Sequence, residues 1–188
     1  MTDVIYSGTR EIKTFVDLNH GAKVLIQKTE QEPEGSYFTS MSALLLTAFT
    51  FEAYLNHLGK EKIKFWDEVE SIRVKDKHMA LCKELDLEPD YSKRPYQTLK
   101  MLFKFRNAIA HGKSQIVKVT KEVSSSDDPY EHTPKADWEE YNTLANAKCA
   151  NQDIEEIITI LHKKAGMGKH PFLSGVGVGS MSLKKFSN

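Results

Sequence analysis

The chain has no long apolar run. Its most apolar stretch, "SALLLTAFTFEAYL", reaches Glu52 well before the ~20 apolar residues that a membrane span needs. The opening, "MTDVIYSGTREIK", lacks a basic start followed by an apolar block, so no signal peptide is expected. Cysteine is scarce. Cys82 and Cys149 stand far apart with no CxxC pairing, which fits buried thiols in a reducing compartment, the cytoplasm by default. The seven histidines are scattered, none pairs at ligand spacing and HExxH does not occur, so neither a metal nor another cofactor is expected. "GVGVGS" (175–180) has spaced glycines but no strand–helix context and no following lysine, which argues against a phosphate loop. Net charge is absent too: 26 basic residues balance 26 acidic ones. That argues against nonspecific coating of duplex nucleic acid, although a local basic patch stays open.

What is present is helical spacing. Residues 9–28 carry Ile12, Phe15, Val16, Asn19, Ala22 and Ile26 at that spacing, with Thr9 placed to cap the start. "EQEPEGS" (30–36) breaks the pattern. Residues 36–58 give the strongest helix, with a stripe of Met41, Leu44, Leu45, Ala48, Leu55 and Leu58. Ser36 or Ser40 can cap it, and Gly59 is placed to stop it. Residues 61–87 read as two helical pieces with a break between. "DLEPDYSKRP" is a loop, and Pro95 suits the first turn of a helix running to about His111, with Gly112 to end it. "QIVKVTKEV" (115–123) alternates like a strand, so 112–135 is expected to be a loop or hairpin excursion. Helical spacing resumes at Trp138 and Tyr141 and continues through Ile154, Ile157, Ile158 and Leu161, with a break possible near Asn151. Residues 166–188 are glycine-rich and expected to be poorly ordered. The fold class is therefore all-α, a helical bundle formed by a single domain over residues 1–165, followed by a flexible tail.

Two charged residues fall on apolar stripes. Each helical residue advances 100°, so Leu99, Leu102, Phe103, Ile109 and Ala110 lie within about 60° of Arg106. Glu52 lies in the same way between Ala48 and Leu55. A desolvated guanidinium needs a partner, so Glu52 is expected to contact Arg106, with Asn56 one turn on as a further member. Such a pair could equally do no more than fix the register of two helices. On the adjoining face Lys100, Lys104, Asn107 and His111 form a polar stripe. Asn107 can orient the imidazole. His111 sits at a helix C-terminus, where the macrodipole favours imidazolium. Lysines beside a poised histidine suit a phosphate-facing surface; a plain solvated face has the same composition. Trp138 and Tyr141 read as core anchors for the last helix, with an RNA-stacking role as the lesser alternative.

"RNAIAH" (106–111) resembles the R-x4-H signature of the HEPN superfamily, and "SALLLTAFTFEAYLNHLG" (42–59) is similar to the earlier HEPN helix whose glutamate often faces the motif. The resemblance covers roughly residues 9–165. It implies an up-and-down four-helix bundle, here with an additional helix and the excursion at 112–135. It implies a homodimer whose motif helices form a composite cleft, and in many members a metal-independent endoribonuclease acting as a toxin, in phage defence or in RNA processing. A toxin of this kind would have a cognate antitoxin protein. Other members are noncatalytic binding modules. Carried over by position, Arg106, His111, Asn107 and Glu52 become candidate catalytic residues, and Lys100, Lys104 and Lys113 candidate RNA contacts. Some members carry a tyrosine two residues after the histidine, which a partner nucleotidyltransferase modifies; here Lys113 stands there, which argues against that control.

Overall fold

The computed structural model describes residues 4–183. The molecule is largely helical. Its main helices are α1 (Thr14–Gln31), α2 (Ser36–Lys62), α4 (Val74–Glu84), α5 (Gln97–Ala110) and α7 (Leu144–Lys164), with the short α3 (Trp66–Val69) and α6 (Asp137–Tyr141) between them. Helix α2 is the central element, packed against α1, α3, α4, α5 and α7. By length and composition alone it could cross a membrane, yet half of its most apolar window is buried inside the bundle. Ala43, Leu44, Ala48, Phe51, Tyr54, Leu55 and Leu58 form that buried surface, facing Ile154, Ile157, Ile158 and Leu161 of α7 and Leu99, Leu102 and Phe105 of α5.

Helix boundaries depart from the sequence reading where a local interaction overrides a propensity. The cap of α2 is Gly35, at φ 73°, rather than Ser36 or Ser40. Ser40 is buried instead and donates to Asn142 Oδ1 at 2.9 Å. Gly59 does not stop α2, which continues to Lys62. Its hydrogen is needed for packing: a Cβ there would lie 2.2 Å from the ring of the buried Trp66. Gly59→Ala is therefore expected to destabilise the protein by about 1–3 kcal/mol, despite alanine's better helix propensity. Urea unfolding checks this, and an unchanged or raised midpoint would refute the close-packing role. Asn151 does not break the last helix. The break falls at Asn142–Thr143, where Thr143 Oγ1 caps α7 by accepting from the Asn146 amide. Asn151 is buried and donates to Asn19 of α1 at 3.0 Å, while Asn19 donates to Glu155.

The all-α expectation needs one correction. Strands β1 (Val4–Arg10) and β2 (Gly177–Leu183) pair antiparallel, from Val4 opposite Leu183 to Arg10 opposite Gly177. Thr9 thus lies in a strand, and α1 begins at Thr14. Of the tail expected to be poorly ordered, Gly177–Leu183 lies in this sheet; residues 184–188 lie outside the described residues, as do residues 1–3 of the expected domain. The glycines that suggested disorder alternate along one face of the strand and allow close approach. A Cβ on Gly179 would meet the Tyr6 ring, and one on Gly175 would meet the Glu11 carbonyl. Residues 115–123, which alternate like a strand, form none. They are exposed and form no regular element, and a 3-10 turn at Pro129–His132 follows. An alternating pattern needs a neighbouring strand, and the two strands among the described residues pair with each other.

Candidate nucleic-acid cleft

Helix α5 forms one wall of a cleft of about 880 Å³. Helix α2 contributes Phe51 and Glu52 to it. The α3–α4 link and the start of α4 contribute Ile72, Arg73, Val74 and Lys75, and the loop before α5 adds Tyr91 and Tyr96. Lys100, Lys104, Arg106, Asn107 and His111 all border this space. Wheel geometry puts Arg106 and His111 about 140° apart on a regular helix, yet both line the one cleft, because it wraps around the C-terminal end of α5.

The expected ion pair is present. Arg106 Nη2 donates to Glu52 Oε2 at 3.0 Å. Arg106 lies nearer the edge of its apolar stripe than its middle, because the buried face of α5 is carried by Leu99, Leu102 and Phe105. Its side chain is 23% exposed, beside Glu52 at 25%. Asn56 joins the network through Lys77, whose ammonium donates to Asn56 Oδ1 at 2.9 Å and stands 3.4 Å from Glu52 Oε1. Lys77 is almost wholly buried. One carboxylate thus lies between two cations from two different helices. Arg106 Nε is buried with no hydrogen-bond partner.

Asn107 does not orient His111 here. Its Oδ1 accepts from Arg106 Nη1 at 3.0 Å, which turns the amide towards the arginine. His111 is the C-cap of α5, its backbone amide bonded to the Asn107 carbonyl at 2.9 Å. It is exposed, just past the last helical turn. Lys104 reaches Asp137 at 2.5 Å, and that lysine holds the Asp137 carboxyl below its usual range. Lys113 lies apart from Lys100: it borders a second cavity on the other side of His111 and not the first. The first cleft is basic for a chain with no net charge, although of its cations only Lys75 and Lys100 form no ion pair among the described residues. Arg73, Lys75, Lys100, Lys104 and Arg106 line it against the single carboxylate of Glu52. Arg73 is paired with Asp76. Lys75 lies 5.6 Å from the centre of the Tyr91 ring.

A scan against protein-family models finds no match to this chain. Comparisons with curated proteins and with solved structures find none at a significant level.

The aromatic wall is held from behind. His78 of α4, fully buried, shares a 2.8 Å hydrogen bond between Nδ1 and the Tyr91 hydroxyl, and its Nε2 is 3.3 Å from Cys82 Sγ. Arg94 clamps the same loop to α7 through a forked contact with the buried Asp153, at 2.7–3.1 Å. The His78–Cys82 contact is not an activated thiol. Burial pushes the thiol up to about 11 and the imidazole down to about 4, so both are neutral near pH 7. No group of three or more His, Cys, Asp or Glu suited to a metal occurs among the described residues.

His78 also sets a pH dependence. Its folded pKa of about 4 lies below the ordinary 6.5, so the folded state disfavours the proton that the unfolded state accepts. The stability is fully present above about pH 6.5 and is lost as pH falls towards 4. The loss is on the order of 3 kcal/mol. Burial shifts His57 and His162 in the same direction. Unfolding midpoints in urea should fall steadily across this window, with a shallower slope for His78→Asn. A flat wild-type profile would contradict the burial argument.

Sequence reasoning missed Lys77, although the signal was there. Val74, Lys77, His78, Leu81 and Cys82 share one helical stripe, and the wheel test that singled out Arg106 would have singled out Lys77. Arg73, Lys75, Tyr91 and Tyr96 come from a link, a helix start and a loop, where no periodicity marks the side that faces a cleft.

Proposed function

We propose that the protein is a metal-independent endoribonuclease of HEPN type, working as a homodimer through its motif helices in the cytoplasm, in a toxin or phage-defence role with a cognate antitoxin. The observation that supports this best is the convergence of Arg106 and an exposed His111 on one basic, aromatic-walled cleft. A 2′-hydroxyl of RNA attacks the adjacent phosphorus and the bond to the 5′-oxygen breaks, leaving a 2′,3′-cyclic phosphate and a free 5′-hydroxyl. His111 takes the 2′ proton or delivers one to the leaving oxygen. One imidazole cannot serve both ends of the bond in a single step, so the partner protomer supplies the second group. Arg106 stabilises the charge that builds on the phosphoryl oxygens. Glu52, itself held by Lys77, fixes Arg106 in place, Asn107 bonds the same guanidinium, and Lys100 holds a flanking phosphate, with Lys104 beside it shared between the backbone of the RNA and Asp137.

A second reading is a noncatalytic nucleotide-binding module. It is favoured by the engagement of Arg106 with Glu52 and Asn107 inside one protomer. Incubation of purified protein with RNA in EDTA separates the two. Cleavage lost in both Arg106→Ala and His111→Ala supports the nuclease. RNA binding without cleavage by the wild type supports the module, and cleavage that persists in both variants sinks the site assignment.

A further inference from the structure

A second cavity of about 720 Å³ lies on the far side of His111, between the C-terminal half of α5, residues 112–118 and the start of α6. It is basic as well. Lys113, Lys118 and Lys135 line it, and none forms an ion pair among the described residues. Its one carboxylate, Asp137, is occupied by Lys104. Trp138, half-buried, supplies an aromatic face. From Lys113 to Val123 the exposed segment makes no backbone–backbone hydrogen bond among the described residues, which leaves its amides and carbonyls open to a polar ligand. His111 and Lys104, at the same helix end, border both cavities.

We infer that this cavity is a second nucleotide subsite, joined to the first at His111, so that a single strand of RNA crosses the end of α5 with a phosphate at the imidazole and a neighbouring nucleotide on each side. Lysines next to an aromatic face match the alternation of phosphate and base along a single strand. Tyr91 and Tyr96 provide such a face in the first cleft and Trp138 in the second. The inference rests on the RNA reading of the first cleft but does not require cleavage.

The test uses the full chain and a 2′-O-methyl RNA, which cannot cleave itself because its 2′-oxygen is blocked. Binding is followed by anisotropy across a salt series. The triple variant Lys113→Ala, Lys118→Ala, Lys135→Ala changes only exposed side chains, and circular dichroism verifies its fold. It should bind at least about tenfold more weakly, with a salt slope shallower by about 2, since each lost phosphate contact removes about 0.7. Binding should also quench tryptophan emission. Trp66 is sealed in the core at 1% exposure, so the quench reports Trp138 and should vanish in Trp138→Phe. Unchanged affinity and slope in the triple variant, a quench that is absent or survives in Trp138→Phe, or equal affinity for an oligoglutamate would each overturn the subsite. Failure of the nuclease reading has a different signature: no cleavage of ordinary RNA in EDTA while binding and quench are intact.

Discussion

Replacing His111 with alanine is expected to lower RNA cleavage in EDTA by about 10²–10⁴-fold, the usual loss when a general acid or base is removed. The expectation is specific because His111 is exposed beyond the last turn of α5. Its side chain makes no hydrogen bond within the described residues, so the fold should not depend on it. The variant should keep its unfolding midpoint and lose far less affinity for 2′-O-methyl RNA than turnover. That combination is the informative one. A loss of activity accompanied by an equal loss of binding would make His111 a ligand contact and remove it from the chemistry. Product analysis adds an independent check: a 2′,3′-cyclic phosphate end is required of the proposed attack, and a 3′-hydroxyl end would contradict it.

Glu52→Ala should give the largest change in stability. Glu52 faces Arg106 at 3.0 Å and Lys77 at 3.4 Å. Without it the two cations confront each other, one of them almost wholly buried. Breaking a buried ion pair costs about 3–5 kcal/mol. Glu52 is a quarter exposed, so a loss of about 2–4 kcal/mol is expected in urea unfolding. Removing the stranded charge should recover part of it: Glu52→Ala combined with Lys77→Met should be more stable than Glu52→Ala alone. A single-variant change below about 0.5 kcal/mol would show the network to be a surface contact. Lower activity without loss of stability would point instead to Glu52 acting on the substrate.

The pairing of Glu52 with Arg106 was legible in the sequence because charge on an apolar stripe demands a partner, and the structure contains few candidates at matching depth. The main helices were legible for a related reason: α2, α5 and α7 each present a continuous apolar face to the core. The β1–β2 sheet was not, because it is exposed along β1 and held by backbone pairing and glycine contacts that leave no hydrophobic signature. The strand-like pattern at 115–123 misled for the converse reason. Alternation records a capacity to pair, and pairing depends on a neighbour that local sequence does not name. The cleft was legible only along α5, where one helix face collects its lysines, asparagine and histidine. Its opposite wall is assembled from Arg73, Lys75, Tyr91 and Tyr96, residues brought together by the way Arg94 and His78 fasten a loop.

The ladder between β1 and β2 makes the described chain close on itself. Val4 stands opposite Leu183, so hydrogen bonds complete a ring whose other links are peptide bonds. Among the described residues neither strand has another neighbour in its sheet. Loss of either strand would therefore leave the other as a bare ribbon with its row of backbone donors and acceptors unpaired.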